Sequence, residues 1–274
     1  MLSPISVSEL VARIPNGATI ALPADYSGCA MTAVRALIAR GVRDLHLVCM
    51  PQGGFQVDWL VGSGCVARIE AAAVTLGEHG IAPRFDAAIK SGEIEMWDST
   101  CPALLASLQA GEKGLPFIPL RGILGSDLLR VRPDWRIINN PLADSGVTDP
   151  VVILPAIKPD FALFHALKAD RNGNVWLGVQ RELMTAAHAS RQTLVTVESI
   201  EDTDFLRDPA LAPGTLSSLY VSALAVAKEG AWPIGLDNAY AADNKALASY
   251  ASSATSSEGF RSWMAATAKV AAHA

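Results

Sequence analysis

Short apolar runs of strand length recur along this chain with helical segments between them, and that alternation limits the fold more than any other feature. Residues 18–22, 45–49, 72–76, 94–97, 117–120, 161–165, 194–197 and 221–226 read as strands. Residues 32–40 read as a helix with Val34, Leu37 and Ile38 on one face and Gly41 as its stop. Residues 83–90 place Phe85, Ala88 and Ile89 on one side; residues 102–110 place Leu104, Leu105 and Leu108 inward, with Pro102 suited to a first turn. Another helix is expected over 181–190. Strands and helices alternating at this spacing form βαβ units, so the fold class is α/β, with an open, mostly parallel sheet covered by helices. Residues 130–159 are rich in Pro, Asn and Asp but apolar at 151–154, so they read as an excursion within one domain spanning 1–274. Near the C-terminus, Phe260, Trp263, Met264 and Val270 fit an amphipathic helix whose last residues fray.

Half of the 274 residues are hydrophobic, enough for a sizeable core. The net charge is −5 and no Lys/Arg run occurs, which argues against nucleic acid or an anionic membrane surface as partner. No apolar run approaches the roughly 18 residues of a membrane helix. Residues 1–5 carry neither a basic patch nor an apolar signal core, so a cytoplasmic location is expected. Cys29, Cys49, Cys65 and Cys101 lie singly, which favours reduced, mostly buried thiols over a zinc site or redox pair. The five histidines show no metal spacing, and no metal or tightly bound cofactor is expected. Phosphate-binding Gly-rich loops, a Gly-x-Ser-x-Gly elbow and a His-Glu-x-x-His helix are all missing, so the sequence supports neither an NTPase nor a dinucleotide oxidoreductase.

What remains is a set of polar turns after strands. Residues 160–174 read as an apolar strand stopping at His165, followed by a turn crowded with Asp170, Asn172, Gly173 and Asn174. Such strand ends are where open α/β sheets place ligands. Gln52-Gly53-Gly54-Phe55, Gly62-Ser63-Gly64 and the turn from Arg121 through Gly122 and Gly125 to Ser126-Asp127 could present backbone N–H groups to an anion or acyl oxygen. Each also fits an ordinary βα turn, and Ser126-Asp127 fits a helix cap. Glu93, Glu95 and Asp98 cluster beside Ser99, where a buried carboxylate could serve as nucleophile or base and a solvated edge is the plainer reading. His165 alone fits a satisfied core histidine, and Trp59, Trp97, Trp176 and Trp232 fit core or interface.

Several strings together resemble the α-type subunit of family I coenzyme A transferases, the group that includes glutaconate and 3-oxoacid CoA-transferases. They are Ala36-Leu37-Ile38-Ala39-Arg40-Gly41 with Asp44-Leu45; Asp58-Trp59-Leu60-Val61-Gly62-Ser63-Gly64; Gly114-Leu115-Pro116-Phe117-Ile118-Pro119 leading to Gly125-Ser126-Asp127; Pro159-Asp160 through His165, Ala169-Asp170 and Gly173-Asn174; and Thr196-Val197-Glu198. Their shared order covers about residues 17–245. The resemblance implies a ping-pong transfer of CoA between carboxylic acids through an acyl anhydride and a glutamyl-CoA thioester. It implies a homologous β subunit that carries the attacking glutamate, usually in a heterotetramer of two chains of each kind, with acyl-CoA and carboxylic acid as substrates. Two places depart from the family pattern. Leu22-Pro23-Ala24-Asp25-Tyr26-Ser27-Gly28-Cys29-Ala30-Met31-Thr32 replaces a Gly-Gly-Phe-type turn, and Gly230-Ala231-Trp232-Pro233 replaces Gly-Ala-His-Pro. Related α-type subunits belong to hydrolases that open a carbon ring in steroid breakdown, using an acid of the α-type chain; on that alternative Glu95 and Asp98 are the candidates. A non-catalytic homologue keeping only the fold is the third reading. The expected substrate-facing residues are Tyr26, Ser27, Gly28, Gln52, Gly53, Gly54, Phe55, Ser99, Gly122, Gly125 and Ser126, with His165, Asp170 and Asn174 expected to scaffold their turn.

Overall fold

β-branched and other apolar residues dominate the first strand, β1 (Thr19–Pro23), and its last four residues are buried, as befits a strand covered on both faces. The computed structural model describes residues 3–268. A helix α1 (Val7–Ala12) precedes β1, capped by the reciprocal Ser6–Glu9 pair. Helix α2 (Met31–Arg40) ends at Gly41, whose φ of 73° closes the last turn. Strand β2 (Leu45–Met50) follows, then β3 (Gln52–Gly53), α3 (Phe55–Gly62), β4 (Val66–Ala71), β5 (Ala73–Val74), α4 (Pro83–Ser91), β6 (Glu95–Asp98) and α5 (Cys101–Glu112). The excursion holds β7 (Phe117–Leu120), α6 (Leu128–Val131), β8 (Arg136–Asn139) and β9 (Pro150–Pro155). The chain then lays down β10 (Phe161–Asp170), β11 (Val175–Trp176), α7 (Arg181–Ala189), β12 (Gln192–Glu201), β13 (Thr215–Leu216), β14 (Ala223–Val226), α8 (Asn244–Ser253) and α9 (Ser257–Ala268).

Strands β14, β12, β10, β1, β2, β4 and β6 pair in that order, all parallel. The chain therefore builds the sheet outward from β1 on one side, through β2 and β4 to β6. It then returns to the other side of β1 and builds outward again through β10, β12 and β14. The β1/β10 boundary is the topological switch point, where open α/β sheets leave a crevice at the carboxyl ends of their strands. Here the two strands pair only through Ile20–Phe161 and Ala21–Ala162 before they part.

One apolar cluster fills the side of the sheet covered by α1–α4, α8 and α9, with Trp59, Tyr250, Leu37 and Leu47 at its centre. A second fills the opposite side, where Phe164, Leu104, Leu108 and Leu183 meet. Val152 and Leu154 of β9, with Trp135 and Ile123, form a third against Ala103 and Ala106 of α5.

Five expectations change. The strand expected over 72–76 shrinks to the two-residue β5, which pairs with β3 outside the main sheet; the main-sheet strand is the earlier β4, whose apolar pattern is interrupted by Arg68 and by Glu70, buried against Arg132. The strand at 117–120 belongs not to the main sheet but to a three-stranded antiparallel sheet, order β7-β9-β8, which the irregular excursion forms. Strand β10 does not stop at His165; it runs to Asp170 because β12 is equally long and pairs with it throughout. Ile89 is exposed, and Arg84 takes an inward place on α4. Glu93 lies outside β6, so the three acids expected to cluster beside Ser99 do not share one strand. Val270 and the fraying expected of the last residues lie outside the described residues.

Candidate functional site

Two adjoining pockets lie at the carboxyl ends of the strands, around the switch point. The larger, about 740 Å³, is walled by Asp25 and Tyr26 after β1, by Gln52 to Phe55 after β2, by residues 75–79, and by residues 234–242 ahead of α8. The smaller, about 120 Å³, shares Tyr26 and residues 235–238 and reaches between Ser27, Gly28, His165, Trp176, Gln180 and Leu183.

The turn after β1 is shaped by contact with β10. Gly28 has φ of 82°, and a Cβ there would lie 2.2 Å from the His165 carbonyl oxygen. Only glycine fits, because both the dihedral and the close backbone approach exclude a side chain. The His165 N–H donates to the Gly28 carbonyl at 2.7 Å, which stitches the turn to β10 beyond the point where β1 leaves off. The Ser27 hydroxyl bonds Glu182, and the Gln180 amide donates to the Tyr26 carbonyl at 3.1 Å, so the start of α7 holds the turn from the other side.

Asp25 sits on the wall of the larger pocket. Both of its carboxylate oxygens accept from the Phe55 N–H, at 3.2 and 3.1 Å, at the first turn of α3. The Cys29 thiol lies 3.7 Å from Oδ1. Burial pushes the Asp25 carboxyl up to about 6, and these two donors only partly offset it. Gly54 is obligatory beside it, since a Cβ there would fall within 2.0 Å of Asp25 Oδ2. Burial, with Asp25 alongside, drives the Cys29 thiol well above its ordinary value, so Cys29 is not a nucleophile.

Behind the smaller pocket lies a polar cluster centred on the buried His165. His165 Nε2 is 2.8 Å from Glu198 Oε1, and Nδ1 is 2.8 Å from Thr196 Oγ1. An ionised carboxylate only accepts, so Nε2 carries a proton and donates it to Glu198. Glu198 also accepts from the Glu229 N–H at 2.8 Å, the Gly230 N–H at 3.0 Å and the Tyr240 hydroxyl at 2.9 Å. Burial works to raise Glu198, but His165 and these donors outweigh it and hold the carboxyl below its ordinary value. Gly230 must be glycine, because a Cβ there would meet the His165 ring at 2.4 Å.

The turn that follows β10 is built rather than reactive. Asp170 accepts from the N–H groups of Asn172, Asn174 and Phe205 and from the Asn174 side chain, while Asn174 Oδ1 accepts from the Ser218 N–H. These bonds fix the backbone of the turn, which accounts for the Ala-Asp…Gly-Asn string.

Of the residues expected to face substrate, Tyr26, Gln52, Gly53, Gly54 and Phe55 line the larger pocket, and Ser27 and Gly28 line the smaller with Tyr26. Ser99, Gly122, Gly125 and Ser126 line neither. Ser99 is tied to β4 through its backbone, and Gly122 to Ser126 form turns of the excursion. Glu95 lies on the edge strand β6, where hydrogen bonds from Trp97 and Arg68, the latter at 2.6 Å, lower its carboxyl; neither it nor Asp98 lines either of these pockets. Among the described residues no group of His, Cys, Asp and Glu is placed to hold a metal.

The coenzyme A transferase family model matches residues 5–218 of this sequence. The chain belongs to that family. This CoA-transferase family chain is 32% identical over 268 residues to the A-type subunit of the 3-oxoadipate CoA-transferase of Pseudomonas knackmussii, covering 95% of this chain and 91% of that one. It is 30% identical over 270 residues to the cholesterol ring-cleaving hydrolase IpdA subunit of Rhodococcus jostii, covering 95% and 90%. Its fold matches the crystal structure of the decarboxylase AibA/AibB with a TM-score of 0.86 and 28% identity, covering 98% of this chain and 100% of that one. The family member is thus of the A type, and its fold is the α/β sheet expected from the alternation. Among the described residues no helix is long and apolar enough to cross a membrane.

Two parts of the site escaped sequence reasoning. Asp25 stands inside the departing turn but looks like any turn acid until Gly54 and the Phe55 N–H are placed against it. Residues 234–242 supply one wall of both pockets; the Pro233, Gly235, Asp237 and Asn238 cluster marks a turn there without saying what it faces.

Proposed function

We propose that this chain is the A-type half of a CoA-transferase whose reaction centre is completed by a B-type chain. On this reading the chain supplies the acyl-substrate walls around the switch-point crevice, and the B-type chain supplies the glutamate that becomes the thioester. One observation carries it: the two glutamates packed against the site are already occupied. Glu182 accepts from Ser27, Glu198 accepts from four donors, and neither lines either pocket, so neither is placed to attack a bound thioester. Glu78 lies at the solvent-exposed rim. The Pseudomonas relative, alike nearly end to end, is itself the A subunit of its transferase and so supports assembly with a further chain. A heterotetramer in the cytoplasm acting in acid catabolism is the arrangement we infer. CoA and its acyl thioesters act as substrates, with no resident cofactor.

The test is to purify the chain alone and with its B-type partner, then follow CoA exchange between a labelled acid and an acyl-CoA. We expect exchange from the pair only, with a hydroxylamine-sensitive thioester on the B-type chain. Full activity from this chain alone would sink the proposal. The near end-to-end likeness to the Rhodococcus hydrolase chain favours a second reading, a ring-opening hydrolase. Acyl-CoA consumption without exchange would favour it, and Glu95→Ala and Asp98→Ala would then abolish activity if those acids carry the chemistry. Their absence from both pocket linings argues that both variants stay active. A pair that binds acyl-CoA but changes nothing would indicate the non-catalytic homologue.

A further inference from the structure

The chemistry of the two pockets restricts the acyl group they can hold. In the larger pocket the ionisable groups of the wall are mostly acidic: Asp25 inside, Glu78 and Asp237 nearer the mouth. Asp25 is held in place by the Phe55 N–H and the Cys29 thiol, and no basic side chain pairs with it among the described residues. The basic groups at the walls are two imidazoles. His79 sits 3.9 Å from Glu78 and edge-on to Phe55, and the protonated nitrogen of His165 is committed to Glu198. Leu167, Trp176, Leu177, Val179 and Leu183 give the smaller pocket its apolar wall, with Ser27, Gln180, Asn238 and the acid Asp237 on its polar side. Its volume of about 120 Å³ is near that of a cavity of about 150 Å³ that holds benzene. A second carboxylate would face Asp25, Glu78 and Asp237 in the larger pocket and Asp237 again in the smaller, like charges whose repulsion is strong where the space is partly desolvated. An uncharged hydrocarbon tail would instead meet apolar walls and gain from burial.

We propose that the site selects monocarboxylic acyl groups with an uncharged tail seated in the smaller pocket, and that Asp25, aided by Asp237 and Glu78, turns dicarboxylic acyl groups away. This deepens the CoA-transfer reading and rests on its assignment of the crevice to the acyl group.

The experiment uses the complex with its B-type chain and compares hexanoyl-CoA with adipoyl-CoA, which share the CoA moiety and chain length. Binding is measured by titration calorimetry, so it does not depend on turnover. Hexanoyl-CoA is expected to bind at least about tenfold more tightly at pH 8. Asp25→Asn is expected to shrink that ratio about threefold or more, chiefly through tighter adipoyl-CoA binding. Asp237→Asn, in an exposed turn that folds regardless, is expected to shrink it in the same direction by less. Equal or tighter binding of adipoyl-CoA by the unaltered complex overturns the proposal; an unchanged ratio in both variants overturns the role of the acids. CoA exchange is then measured with hexanoate and adipate. Preferential hexanoyl-CoA binding with no exchange would sink the transferase reading and leave the tail preference standing. Exchange that favours adipate would do the reverse.

Discussion

At the scale of single residues, Asp25 is the place where function costs stability. Its carboxyl titrates at about 6 in the fold, against an ordinary value of 3.8, because burial disfavours the charge. The unfolded chain therefore ionises first. Stability is full below about pH 4, falls as pH rises between about 4 and 6, and carries the whole penalty above that range. A difference of about two pH units corresponds to about 3 kcal/mol as an upper figure. Asp25→Asn keeps an oxygen for the Phe55 N–H and removes the charge. We expect the variant to exceed the parent by up to about 3 kcal/mol in urea unfolding at pH 8 and to match it at pH 4. Equal stability at pH 8 would show that the carboxyl is not desolvated. The glycines follow a similar logic: Gly28, Gly54 and Gly230 are each fixed by an atom of another segment that a Cβ would strike. Sequence showed Gly53-Gly54 as a turn, but not that a carboxylate from the preceding loop presses on it.

At the scale of elements, the segment from Glu229 to Tyr240 has little regular structure and still forms a wall of both pockets. It is held by Glu198 in the second half of β12, which gathers its N–H groups, and by Tyr240, whose hydroxyl accepts from the buried Ala231 N–H at 2.9 Å and donates to Glu198. Tyr240→Phe leaves that N–H without its partner and takes one of three donors from Glu198 Oε1. An orphaned buried group costs about 1–3 kcal/mol, and here the loss should stay local. We expect amide exchange over residues 229–242 to quicken in the variant while β10 and β12 keep their protection. Uniformly faster exchange across the sheet would mean that the network supports the whole fold instead. Strands β1, β2 and β6 and helices α2, α5 and α7 were legible because each carries its own apolar period. The full length of β10 was not, since its second half is held by pairing with β12, a non-local cause.

At the scale of the whole molecule, the antiparallel excursion is fastened to the edge of the main sheet by one buried arginine. Arg132 donates to Glu70 at 2.8 Å, to Asp134 and to the Asp98 carbonyl, with its guanidinium between the rings of Trp97 and Trp135. Both members of the Arg132–Glu70 pair are almost fully buried. Removing one partner strands a charge, at a cost of about 3–5 kcal/mol, whereas replacing both with apolar groups can be neutral. Glu70→Leu alone should therefore lower the unfolding free energy by several kcal/mol, and the double variant Glu70→Leu/Arg132→Met should recover most of it. A double variant as weak as the single one would show that the hydrogen bonds to Asp134 and Asp98 matter more than the pair. The edge cluster of Glu95, Asp98 and Ser99 belongs to this fastening region and not to the crevice.

The sequence by itself determined the α/β class, the helices with their own apolar period, the order of family strings and the two departing turns. These are local or ordered along the chain, so they can be read without knowing who meets whom. Only the tertiary structure decided which turns share a site. The order of strands around β1 places the turns after β1, β2 and β14 at one crevice and leaves those at 99 and 122–126 elsewhere. Strand order and burial arise from contacts between residues far apart in the chain, and those contacts also set the ionisation of Asp25 and the engagement of Glu198.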